Sequence, residues 1–333
     1  MDHDFLSVFE RGKTPLFLAP QAGVSEAPFR RLCREYGADV VVSEFVSADG
    51  LCRGNEKTHR YLRFDDDERP IGVQIFGSDP GMMAEAAALV ADVYEPDFVD
   101  INFGCPVKKV VKRNGGSGCL RDLGLVGRIT RAVVDGTSRP VTAKIRSGFD
   151  EKSRDPLGIG RTIQEAGARM VTLHPRTRAD MYGGSARWEE IGALVQALDI
   201  PVVGNGDILT GEDARRMKDE TGCHGIMMAR GTHGAPWLFA QARAALEGGA
   251  VPATPDIPER FRVCLRHARK AIEHGGEPRR AAVEFRKHLG WYTRGIPGGK
   301  RLRKELFKVT TLEEMGSLLS DYLEGPLVEV ADR

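Results

Sequence analysis

Apolar and polar positions along the chain fall into a repeating block pattern. Short β-branched runs occur eight times, each followed by a stretch of helical periodicity and by Gly or Pro punctuation. The runs are Thr14 to Pro20, Ala38 to Phe45, Pro70 to Gly77, Phe98 to Gly104, Pro140 to Arg146, Met170 to His174, Pro201 to Asp207 and Gly225 to Gly231. Helices are predicted between them over Ala84 to Tyr94, Leu125 to Asp135, Gly158 to Ala166, Trp188 to Leu198 and Gly211 to Thr221. Strands apolar on both faces and spaced ~25 to 40 residues apart suit right-handed parallel β-α-β crossovers. Eight of them predict an α/β fold closed into a (β/α)8 TIM barrel, with a doubly wound open sheet as the rival.

After the eighth run the pattern changes. Glu247 to Pro258 has the Gly and Pro content of a linker, and a helical, basic stretch follows. The predicted organisation is a barrel over residues 1–246, a linker over 247–258 and a small all-helical domain over 259–333. From Phe261 to Lys308 there are 14 Lys and Arg against 4 Asp and Glu, an excess of +10 in a chain whose net charge is +1. Such asymmetry suits a nucleic-acid partner better than an even composition would. Phe285 and Leu289, interleaved with these charges, read as core of the helical domain.

With 41% hydrophobic residues and no apolar run near the ~18 residues of a membrane span, the protein is expected to be soluble and cytoplasmic, with no membrane contact. The start of the chain lacks the order of a secretory signal. Six cysteines show no CxxC pair and no metal-ligand spacing, so free thiols and no metal are expected.

In barrels of this kind chemistry gathers where the strands end. Here the ends are polar: Gln21, Glu44, Gln74, Asn102 with Cys105, Lys144 with Arg146, His174 with Arg176, Asn205 with Asp207, and Arg230. Arg230 precedes a helix predicted to begin near Ala235, a corner that often binds phosphate through backbone N–H groups. A phosphorylated ligand is implied. Lys144 suits either a Schiff-base lysine or a donor to an electron-rich cofactor ring, and Gln74, Asn102 and His174 beside it favour a flavin.

Taken with their order, these segments resemble the flavin-dependent tRNA-dihydrouridine synthases, in particular the bacterial branch with a C-terminal helical domain. The resemblance is carried by LAPQAGVSEAPFR (Leu18 to Arg30), SEFVSADG, PIGVQIFGSDP, DINFGCPVKKVVKRNGGSGCLRD (Asp100 to Asp122), TAKIRSGFD, TLHPRTRADMYGG, PVVGNGDI, MMARGTHGAPWLF and RKHLGWYTRGIPGGKRLRKELF (Arg286 to Phe307). It implies FMN as cofactor. Pro20, Gln21 and Ala22 would lie against the ring, Gln74 would hydrogen-bond it, and Asn102 would stand between cofactor and substrate. Lys144 and His174 match flavin contacts, while Asn205, Gly206, Asp207, Ala229 and Arg230 would clasp the ribityl phosphate. Cys105 matches the family's proton donor. Arg176 and Arg178 would meet RNA near the site, and Arg286, Lys287, Lys300, Arg301, Arg303 and Lys304 would meet it on the tail. The sequence departs from the family pattern at Gln21, Pro175 and Ala229, where Met, Gly and Gly are usual.

The implied reaction reduces the C5=C6 bond of a uridine in tRNA. No GxGxxG follows any run, so NADPH is expected to reduce the flavin at the same mouth and leave. No obligatory protein partner is evident. The alternatives are a small-molecule flavoenzyme of the dihydroorotate dehydrogenase kind, an aldolase-type barrel and a non-catalytic RNA-binding protein; the basic tail argues against the first of these.

Overall fold

The computed structural model describes residues 5–10 and 12–325. Residues 1–4 and 326–333, the outer ends of the two expected domains, lie outside the described residues. Every apolar run supplies strand: β1 (Leu16–Leu18), β2 (Val40–Val42), β3 (Val46–Ser47), β4 (Ile71–Phe76), β5 (Phe98–Phe103), β6 (Val141–Arg146), β7 (Met170–His174), β8 (Val202–Asn205) and β9 (Gly225–Met228). The second run is divided into β2 and β3, both of which pair with β4. All pairings are parallel, and β1 joins β2 on one side and β9 on the other, so the sheet closes into an eight-unit (β/α)8 barrel.

Alternation along the strands sorts the core into two layers. Phe17, Val40, Val42, Phe98, Met170, Val203 and Met227 form one buried cluster with Phe5 and Val8, which come from the short 3-10 turn Phe5–Phe9. The rings of Phe5 and Phe98 stack at 4.2 Å. Leu16, Val41, Val73, Val99 and Ile145 belong instead to the cluster shared with the surrounding helices. Those helices run Pro80–Val93, Leu123–Asp135, Pro156–Glu165, Trp188–Ala197 and Gly211–Thr221. Several begin earlier than their periodicity suggests, because Asp79, Asp122 and Asp155 cap them and a proline at the first turn of two of them costs no hydrogen bond. The helix expected near Ala235 starts at Leu238, after a 3-10 turn over Arg230–Thr232. Two further turn bonds, from Ala235 N to Thr232 O and from Thr232 Oγ1 to Ala229 O, occupy the intervening residues.

The tail folds into four helices, Ile257–His274, Pro278–Tyr292, Gly299–Leu306 and Leu312–Glu324. Phe261, Cys264, Phe285, Leu289, Leu306 and Met315 fill its core, which also takes in Leu32 and Trp237 from the barrel. Tail and barrel therefore share buried apolar surface. A polar seam crosses the same junction: His288 Nε2 lies 2.7 Å and His267 Nε2 3.8 Å from Glu26 Oε1. Among the described residues no helix is long and apolar enough to cross a membrane.

Candidate active site

The strand register decides which polar side chains meet. In β5, Asp100 and Asn102 are two residues apart and so share a face; Gln74 of β4 stands opposite Asp100, and Lys144 of β6 opposite Asn102. Gln74 Nε2 donates to Asp100 Oδ2 at 2.6 Å, and Asn102 Nδ2 donates to Gln74 Oε1 at 2.7 Å. Thr142 Oγ1 donates to the other oxygen of Asp100 at 2.5 Å. Burial pushes the Asp100 carboxyl up to about 6, against these hydrogen bonds and the charge of Lys144. Asp100 thus acts as the anchor that fixes the amide of Gln74.

Lys144 donates to Asn205 Oδ1 at 2.8 Å, and Asn205 Nδ2 donates to Met227 O. Burial first, then the Arg146 guanidinium, lowers the Lys144 ammonium to about 7, while Asp100 pulls the other way. His174 lies two residues before Arg176, and burial, with cations around it, holds its imidazole well below the ordinary value. It is neutral at neutral pH.

Cys105 follows β5 and is 5% exposed. Asn102 Oδ1 accepts the backbone N–H groups of Gly104 and Cys105, and Ser117 donates to Cys105 O at 2.8 Å. Burial raises the thiol's pKa, with a backbone N–H at Val107 and then Arg146 opposing. The group is a thiol at pH 7, placed beside a cation that favours its conjugate base. Cys119, by contrast, is turned toward Asn114 O at 2.9 Å and pushed up to about 12 by burial, the signature of an inert thiol.

These side chains line one cavity of about 470 Å³ at the C-terminal ends of the strands. Of the residues expected there, it brings together Pro20, Gln21, Ala22, Gln74, Asn102, Cys105, Lys144, His174, Asn205, Gly206, Asp207, Ala229 and Arg230. Gly206 has φ +124, and a Cβ there would stand 3.0 Å from His174 Cδ2, so only glycine fits between ring and wall. Ala229 has φ −129, outside the left-handed region, so its methyl meets no left-handed penalty there.

Several expectations need correction. Arg176 is buried, donates to both oxygens of Asp207 at 2.9 and 2.8 Å, and also bonds the carbonyls of Gly183 and Gly184. Its guanidinium is spent on holding the loop and is closed to RNA phosphate. Asp207, in turn, is a carboxylate whose pKa is lowered by Arg176, the Ala186 N–H and Arg230 despite partial burial, so its side chain positions cations, and a phosphate there would be met by backbone N–H groups of the turn instead. Arg286 donates to the carbonyls of Lys308 and Val309, and Arg303 to Thr293 O; both brace the tail. Arg178 is half-buried, with its guanidinium 5.3 Å from the Phe149 ring. Arg230 keeps 42% of its side chain exposed and lies over the Tyr182 ring at 4.4 Å. Lys287, Lys300, Arg301 and Lys304 are exposed.

Sequence reasoning overlooked four participants. Arg146 was legible only as a polar strand end, yet it ties together the loops after β5 and β7 through the carbonyls of Gly104, Thr177 and Met181. Asp100 was recoverable from its two-residue spacing to Asn102. Tyr182 and His233 come from loops and gave no signal; His233 lies 2.8 Å from Gln21 Nε2 and stacks on Trp291 of the tail at 4.2 Å.

Fold and site together define a barrel protein with a ligand cavity at the strand ends, lined by buried amides, cations and one thiol. The particular family follows from comparison: a model described as "Dihydrouridine synthase (Dus)" matches residues 17–325, and the chain belongs to that family. It is 40% identical over 323 residues to a "Probable tRNA-dihydrouridine synthase" of Mycobacterium tuberculosis, covering 94% of this chain and 82% of the relative. It is 40% identical over 291 residues to "tRNA-dihydrouridine synthase B" of Pseudomonas aeruginosa, covering 87% of each. A histamine dehydrogenase structure from Rhizobium sp. 4-9 shares the fold, with a TM-score of 0.51 at 15% identity over 77% of this chain and 49% of that one.

Proposed function

We propose that this protein is an FMN-dependent tRNA-dihydrouridine synthase that uses NADPH as its transient reductant and works in the cytoplasm. The observation that carries this reading is the position of the Cys105 thiol on the wall of the same cavity as Asn102, Lys144 and His174.

The cavity fits a flavin by size and chemistry. Its volume of about 470 Å³ is within the ~300–1,000 Å³ range of cofactor sites. The Gln21 Oε1 on its wall is buried without a partner among the described residues. Gln74, Lys144 and His174 would hold the ring, and the turn at Gly206 with Ala229 and Arg230 would hold the phosphate. Bound there and reduced by NADPH, FMN would supply hydride for carbon 6 of the uracil.

The chain's own residues do the rest. Cys105 Sγ gives its proton to carbon 5 and becomes a thiolate, which Arg146 stabilises and which water reprotonates between turnovers. Asn102 keeps the Cys105 loop in place through two backbone N–H groups. The uridine reaches the cavity only when drawn out of the RNA stack, and Lys287, Lys300, Arg301 and Lys304 of the tail hold the backbone while it does so.

The test is direct. Purified protein supplied with FMN, NADPH and unmodified tRNA transcript should form dihydrouridine, detected by mass spectrometry of the digested RNA. A protein that takes up no FMN, or that takes it up and leaves every tRNA uridine unreduced, would sink the proposal.

A further inference from the structure

We propose that residues 108–113 form a second RNA-binding surface, on the barrel rim across the cavity from the tail, which takes the phosphates flanking the uridine. This rests on the RNA-reductase reading above and assigns a new part of the molecule to it.

The first observation is one of charge. Between Asp100 and Asp122 the chain has five cations and no acid. Lys108, Lys109, Lys112 and Arg113 are exposed, and none forms an ion pair among the described residues. Other clustered cations of the barrel surface have acids close by: Arg31 meets Asp65 and Asp67, Arg53 meets Asp49, and Arg215 meets Glu212 and Asp219. Four uncompensated cations on six residues repel one another, and that cost is offset when an anion lies over them.

The second observation is rigidity. The short helix Lys108–Val111 is tied down by buried Val111, by a bond from Gly115 N to Val110 O, and by Ser117, whose N–H and hydroxyl both go to Cys105 O. The cations therefore project from backbone fixed to the loop that carries the thiol. Val107, 51% exposed, joins this segment to the cavity wall.

The third is topology. Around the ring of eight units, β5, which leads into this segment, is four places from β9. The tail docks on the loops after β9 and β1, where Trp291 stacks on His233 and His288 meets Glu26. The two basic surfaces consequently flank the cavity from opposite sides. A nucleotide splayed into that cavity has a phosphate on each side of its ribose, and a two-sided clamp matches this geometry where a tail alone holds only one flank.

The experiment compares the holoenzyme with a variant carrying Lys108→Gln, Lys109→Gln, Lys112→Gln and Arg113→Gln. Binding of unmodified tRNA transcript is measured by filter retention from 50 to 200 mM salt, with flavin absorbance and Tm recorded for both proteins. The expected result is weaker binding, by about tenfold or more at the lowest salt, and a log–log salt slope shallower by about 3, the value for four lost phosphate contacts at ~0.7–0.9 each. Replacing Lys108, Lys109 and Lys112 by Arg instead should keep the parental slope. Ribose footprinting should show protection lost beside the reduced uridine.

Parental affinity and slope in the Gln variant would overturn the proposal while leaving the RNA-reductase reading intact. Weaker binding with an unchanged slope would also overturn it, because lost phosphate contacts must change the salt dependence. A parent protein that binds no tRNA would remove both readings at once.

Discussion

The cations of the barrel crown and those of the tail are the same residue types under opposite constraints. In the crown, Arg146 serves three backbone carbonyls, Arg176 an aspartate and two carbonyls, and Lys144 an asparagine, all inside the barrel mouth. On the tail, Lys300, Arg301 and Lys304 stand in water. A buried cation must be fully partnered or lose its charge, so its fate is fixed by the fold. An exposed one keeps its hydration and remains available to a polyanion. The tail also shows the exceptions: Arg286 and Arg303 belong to its motif by sequence but behave as crown residues do, spending their donors on carbonyls.

The largest expected effect isolates the crown's chemistry from its architecture. Cys105→Ala should lower dihydrouridine formation by at least ~10²-fold, the typical worth of a positioned acid, while flavin absorbance and NADPH oxidation by oxygen stay intact. Product formed at the parental rate would show that a different group donates the proton.

The next contrast is in stability. Arg176→Ala leaves Asp207 without its main partner and should cost about 3 kcal/mol, the low end of the range for breaking a buried pair because Asp207 is partly exposed. Lys300→Ala should fall within about 0.5 kcal/mol of the parent. Denaturant titration of both variants measures the difference, and equal stabilities would erase the distinction drawn between crown and tail.

A third prediction reverses the ranking. Lys300→Ala, Arg301→Ala and Lys304→Ala together should weaken tRNA binding and flatten its salt slope by roughly 2 to 3, whereas Arg303→Ala alone should lower Tm more than affinity. Filter binding and thermal unfolding on the same preparations read both.

The smallest effects concern pH, and the two regions should respond in opposite windows. Lys144 releases its proton near 7 when folded, against 10.5 as the ordinary value. Between these the unfolded chain binds more protons, so its contribution to stability rises with pH from about 7 toward 10.5. At the tail seam, burial holds His267 and His288 well below 6.5. The unfolded chain therefore takes up protons first as pH falls below about 6.5, and stability is lost there. Glu26, raised by burial, binds protons earlier in the folded state than in the unfolded one and works against this loss, one group against two. Denaturant titrations at pH 5.5, 7 and 9 should show a slope on the alkaline side that Lys144→Met reduces and one on the acid side that replacing both histidines by Phe reduces, the rest of the acid slope coming from His174 and His233.

How much of this was readable beforehand follows from the range of the interactions. The eight strands, the closed barrel and the polar crown were legible because apolar periodicity and strand-end position are local properties, and β alternation then carries Gln74, Asn102, Lys144 and His174 to one rim. Cys105 was legible as the residue that follows β5. Which cations are free was not. Arg176 meets Asp207 across 31 positions, and Arg286 meets Val309 across 23. The same holds for the Gln21–His233–Trp291 contact, which joins three separate segments. The sequence by itself determined where strands form and what chemistry stands at their ends, since those depend on neighbours a few residues away. The tertiary structure decided which charges are consumed in holding the molecule together and which face outward, since that depends on partners brought close only when the barrel closes and the tail docks.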